Sequence, residues 1–133
     1  MYRWVEHMAE VELSIEAPTQ EAVFAEAAAA FTELVEDGRS GDPVQRRIEL
    51  EARDRGELLA DWLEELVYLA DTEGFVPEPL AELDLEEGKP SATVLGHGGE
   101  PRPIVKAITR YDLTFEPAAG SHDGWHARVV LDV

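Results

Sequence analysis

The 133-residue chain contains no cysteine. Disulfides, thiolate metal sites and cysteine nucleophiles are therefore excluded. A reducing compartment is compatible with this, and cytoplasmic residence is the expectation. Basic residues are scarce: 11 Lys+Arg stand against 29 Asp+Glu, a formal charge of −18. The densest basic spots, Arg46-Arg47 and Arg53/Arg55, sit among glutamates. Such a surface repels phosphate backbones, so direct nucleic-acid binding is not expected. No apolar run approaches membrane-spanning length, and the segment 1–7 lacks a signal peptide's apolar centre. A Gly-rich phosphate loop, a G-x-S-x-G elbow and an H-E-x-x-H helix are also missing. The four histidines, His7, His97, His122 and His126, are scattered. Three lie in or beside expected loops, so they read as surface residues.

What is present describes a folding chain. Apolar residues make up 44%, too many for a disordered acidic tail. The length suits one domain over residues 1–133, with a core that needs no covalent staple. The acidity favours a basic protein partner or a divalent cation, and it also maintains solubility.

Residues 10–16 alternate polar and apolar, as a strand with one face on a core requires. Ala17-Pro18 ends it, and Thr19 is a fitting N-cap for a helix to about residue 36. Phe24, Ala27, Phe31 and Leu34 give that helix an apolar stripe, with Gly38 as its stop and a loop at 39–43. Residues 46–52 alternate again, with Ile48 and Leu50 inward. Asp54 and Glu57 have the spacing of a capping box. The helix they open carries Leu58, Leu59, Trp62, Leu63, Leu66 and Leu69, and Gly74 closes it. After the Pro77/Pro79 interruption come a short acidic stretch, a turn at 86–90, a short strand at 92–95 and a flexible loop at 96–101. Strands at 104–115 and 125–132 follow, joined by a long hairpin connection at 117–124. The expected fold is α+β: two main helices on a largely antiparallel or mixed sheet of about six strands, two layers in all.

Two features could carry chemistry. Glu6-His7-Met8-Ala9-Glu10 opens the chain, and Asp132 stands next to the carboxylate of Val133. Carboxylates without thiols suit a hard cation, Ca²⁺, Mg²⁺ or Mn²⁺. On one regular strand Glu6 and Glu10 would be about 13 Å apart, so they share an ion only if the segment bends. Lys106 is the second feature. Its spacing with Ile104 and Ile108 puts an ammonium on a partly apolar strand face, costly unless a carboxylate meets it, or else the lysine faces solvent. Trp4, Trp62 and Trp125 read as core aromatics.

Longer blocks resemble a known family. Leu58-Leu59-Ala60-Asp61-Trp62-Leu63-Glu64-Glu65-Leu66-Val67-Tyr68-Leu69, running into Asp71-Thr72-Glu73-Gly74-Phe75, is similar to the signature helix of archeases. Val105-Lys106-Ala107-Ile108-Thr109 resembles the strand around their lysine, and Val129-Val130-Leu131-Asp132-Val133 their C-terminal V-x-x-D-[IV]. Glu6-His7-Met8-Ala9-Glu10-Val11 resembles their D-H-T-A-D-V, with glutamates for both aspartates and Met8 for the threonine. After Thr109 the family's Tyr-His is replaced by Arg110-Tyr111.

The resemblance implies a protein that catalyses nothing itself. It would promote guanylylation and multiple turnover of the GTP-dependent RNA ligase of tRNA splicing and RNA repair, with GTP used by that partner. It further implies a divalent metal held by Glu6, Glu10 and Asp132 with the carboxylate of Val133, His7 being adjacent, and Lys106 as the functional basic residue, which with Asp132 and Glu10 serves ligase activation. Two rivals come from other classes. One is an acidic chaperone-like module that binds basic proteins without catalysis; the other is a metal-dependent hydrolase, for which no nucleophile or poised base is in view.

Overall fold

The computed structural model describes residues 1–7, 10–36, 38, 41–51, 54–78, 82–84, 91–118 and 124–133, without the side chains of residues 6, 7 and 82–84. Among these residues the chain forms eight strands and two helices: β1 (Tyr2–His7), β2 (Glu10–Ala17), α1 (Gln20–Val35), β3 (Pro43–Glu49), α2 (Arg55–Glu73), β4 (Phe75–Pro77), β5 (Glu82–Asp84), β6 (Ser91–Gly98), β7 (Ala107–Pro117) and β8 (Trp125–Asp132). The strands divide between two antiparallel sheets, one in the order β1-β2-β8-β7 and one in the order β3-β6-β4, with β5 also on β6. The α+β class is as expected. The single six-stranded sheet is not: the helices tie two sheets together.

Thr19 caps α1 by accepting from the Ala22 amide at 3.1 Å. The helix touches β2, β8 and β1 on one side and β4 and β5 on the other. That is why Val23, Phe24, Ala27, Ala28, Ala30, Phe31 and Val35 are all buried, a wider band than one stripe. Thr32 is the buried polar exception. Its Oγ1 lies 3.0 Å from the Ala28 carbonyl and 2.8 Å from that of Pro77, which ties α1 to β4.

Helix α2 packs on β7 and β4 and against α1. Trp62 is fully buried and donates its indole N–H to the Phe24 carbonyl at 3.0 Å. Gly74 adopts φ 65°, the left-handed C-terminal stop its position requires. Trp4 and Trp125 are only half-buried at the margin of the core.

Several boundaries move. The segment 2–7 is a strand that its residues did not announce. The strand expected at 46–52 runs from Pro43 to Glu49. Residues 96–98, whose glycines suggest a loop, continue β6, because β3 and β4 pair with them, and β4 comes too close for a side chain at Gly96. The strand expected at 104–115 begins only at Ala107, so Lys106 precedes it, and its register shifts between Thr109 and Thr114. Within that irregularity Asp112 has φ 56°. The expected turn at 86–90, most of the connection at 117–124, Arg39, Ser40, Arg53, Met8 and His122 lie outside the described residues.

Candidate functional site

The open end of the four-stranded sheet gathers most of the expected residues. Antiparallel pairing sets His7 opposite Glu10, Glu10 opposite Asp132, and Asp132 opposite Ala107, one row across all four strands. The amide of Lys106 donates to the Asp132 carbonyl at 2.8 Å and fixes the approach to β7. Glu6 pairs with Val11 in the next row. Glu6 and Glu10 thus lie on neighbouring strands, and the roughly 13 Å separation of a single straight strand does not apply, but their adjacent rows have opposite strand alternation, so the pairing does not bring the two together on one face.

Strand alternation decides the face. Leu13, Ile15, Ala127 and Val129 are buried toward the helices, so Glu10 and Asp132, of opposite parity, lie on the outer face and are exposed. Two like charges directly opposite each other destabilise a sheet unless a cation compensates them. Among the described residues no Lys or Arg pairs with either carboxylate. Their oxygen donors suit a hard cation in kind. The described residues contain no group of three or more His, Asp or Glu able to hold a metal, and the expected set includes Glu6, whose side chain lies outside them.

Lys106 lies at the same sheet end but opens elsewhere. With Ala107 and Ile108 it lines a groove of about 240 Å³ whose far wall is Glu64 and Val67 of α2. This groove faces the helix side, away from Glu10 and Asp132. The lysine is exposed, the second of the two environments its spacing allowed.

The residue that sequence reasoning missed is Arg110. It sits in the irregular stretch of β7, and its guanidinium binds three carboxylates of α2: Glu57 at 2.9 Å, Asp61 at 3.0 Å and Glu64 at 2.6 Å. The bonds to Glu64 and Glu57 hold its proton more firmly than usual. Burial pushes the Asp61 carboxyl up, Arg110 pulls it back down, and Glu64 and Glu57 raise it again. One correction follows at the helix start. The Glu57 amide does donate to Asp54 Oδ1 at 3.2 Å, but the Glu57 carboxylate goes to Arg110, so only half of the capping box forms. The available signal was the i, i+4, i+7 spacing of Glu57, Asp61 and Glu64 on one helix face.

At the other sheet edge, the Tyr2 hydroxyl donates to Glu33 of α1. That bond, burial and the charges of Glu33 and Glu26 push the phenol up to about 12 from its ordinary 10.0. With the folded value raised, this contribution to stability is present below pH 10 and is lost as pH rises from 10 through 12. Tyr2→Phe should therefore flatten the alkaline fall in stability over that window, as read by urea unfolding at successive pH values.

The sequence profile of the Archease protein family (MTH1598/TM1083) matches residues 2–133. The chain is 33% identical over 142 residues to the protein archease of Methanosarcina mazei, covering 99% of this chain and 95% of that one. It is 33% identical over 138 residues to that of Methanopyrus kandleri, with 97% and 96% covered. The solution structure of Methanobacterium thermoautotrophicum protein 1598 superposes with a TM-score of 0.73 at 27% identity, covering 99% of this chain and 98% of that one. A Thermotoga maritima crystal structure, titled as an archease and possible chaperone, shares the fold with a TM-score of 0.66 at 20% identity, over 100% and 98% of the two chains. With its four-stranded sheet, its two helices and the profile match running almost end to end, this chain belongs to the archease family.

Proposed function

We propose that the chain is a non-catalytic activator of a GTP-dependent RNA ligase, promoting guanylylation and repeated turnover in tRNA splicing and RNA repair. The observation that supports this reading best is the row in which Glu10 faces Asp132 while Lys106 binds the Asp132 main chain. Three of the residues implied by the family resemblance meet there from three separate strands or strand approaches. Glu10 and Asp132, with the Val133 carboxylate, would hold a divalent cation, and Lys106 would act from the helix side; Glu6, in the Val11 row, has the opposite strand alternation and is left out of this set. Such a cation, when bound, supplies a compact positive charge for phosphate oxygens. The chain's own carboxylates place it at the sheet end, and the −18 charge steers the protein toward the basic groove an RNA ligase needs.

Guanylylation of the ligase by GTP, under multiple turnover with and without this protein, tests the reading. Asp132→Ala should abolish the stimulation while circular dichroism stays native. Stimulation equal to wild type would overturn the role given to that residue. The −18 charge also favours a second reading, an acidic chaperone-like module. In that case many basic proteins would bind, with affinity falling steeply between low and moderate salt.

A further inference from the structure

We infer that Arg110 is a positioning residue: by holding the Glu64 carboxylate, it keeps the Lys106 ammonium unpaired at the mouth of the groove between α2 and β7. Glu64 belongs to both settings. It walls the groove opposite Lys106 and also makes the shortest of the three Arg110 contacts, 2.6 Å. Among the described residues Lys106 forms no ion pair and no side-chain hydrogen bond, although a carboxylate, Glu64, stands across its groove. A lysine stem is long and flexible, so an unengaged carboxylate across a small groove would capture it. Without Arg110, Glu57, Asp61 and Glu64 would stand as three uncompensated charges on one helix face. Lys106 would then be the cation sharing a groove with one of them. The guanidinium fork has enough donors to serve all three at once, which a lysine in its place would not match. The freed ammonium is left to meet an anionic group, carboxylate or phosphate, from outside the chain. Only that last use rests on the activator reading.

The chain has two lysines, Lys89 and Lys106, so amine-selective labelling followed by peptide mass spectrometry reports on Lys106 with Lys89 as the internal reference. In Arg110→Gln the Lys106 labelling rate should fall roughly threefold, the size of effect an exposed ion pair supplies. In the double variant Arg110→Gln/Glu64→Gln the rate should return to the wild-type value. Arg110→Lys, which keeps the charge and a milder local change, should fall between. An unchanged rate in Arg110→Gln, or a slowed one that Glu64→Gln does not rescue, overturns the inference, since loosened structure alone would not be repaired by removing Glu64. The same variants assayed for ligase guanylylation separate the two claims. If labelling follows the expected pattern and stimulation stays at the wild-type level, the positioning role stands and only the use of the freed Lys106 in activation fails. No stimulation by the wild-type chain would refute the activator reading and leave the positioning role untouched.

Discussion

Trp62→Ala should lower the unfolding free energy by about 3–5 kcal/mol, the range for deleting a large buried aromatic. The indole is fully buried at the junction of the two helices. Its ring meets Phe24 edge-on at 6.2 Å, and Phe24 in turn contacts Phe115 of β7 at 5.7 Å. Alanine would leave a cavity between three elements that cannot close together, because each is held by its own sheet or helix pairing. It would also remove the bond from the indole N–H to the Phe24 carbonyl, an acceptor that lies within the helix ladder of α1. Trp62→Phe should recover most of the volume but not that hydrogen bond. Urea denaturation of the two variants separates the packing loss from the polar one, and a loss under 1 kcal/mol in Trp62→Ala would contradict this view of the core.

The second large effect concerns a position with no side chain. In Gly96→Ala the new methyl would lie 2.3 Å from the Val76 carbonyl oxygen and 2.7 Å from the Phe75 ring. Neither can yield. Val76 is in β4, and Phe75 is itself buried. The cost should be about 3 kcal/mol, the upper part of the range for overpacking. Gly98→Ala, two residues on in the same strand, meets nothing within 4 Å and should change stability by under about 0.5 kcal/mol. Thermal or urea unfolding of the pair distinguishes a steric need for glycine from a general dislike of alanine in β6.

The same position explains what was hard to read in the chain. His97 between Gly96 and Gly98 has the local character of a loop, and only its pairing with Pro43 of β3 on one side and Val76 of β4 on the other makes it strand. By contrast α2 and β8 carry their periodicity openly: buried leucines at helical spacing, and Ala127, Val129 and Leu131 on one face, with His126, Arg128 and Asp132 on the other and only Val130 breaking the polar alternation. In β1, Tyr2 and Trp4 sit half-buried against the core while Arg3 and Val5 take the other face, so apolar and polar residues do not separate cleanly. Pairing is a property of distant segments. That is why Glu10 and Asp132, 122 positions apart, could be named separately but their direct opposition could not. Arg110 was visible as a change of charge, and its three partners as a helical stripe. Their union depends on α2 lying across β7, which no local pattern states.

The borders of the two sheets bear on how this protein behaves at high concentration. Unpaired strand borders are templates on which further chains add and aggregate. Here four of them carry an obstacle among the described residues, and the fifth, β5, is only three residues long. Strand β7 is irregular between Thr109 and Thr114, β3 opens with Pro43 and bears Arg46 and Arg47, and β4 is three residues long and ends in Pro77. Strand β1, the most regular, places Arg3 and Glu6 along its length. The fold therefore resists growing into filaments by strand addition, and a charge of −18 adds repulsion between copies of the chain.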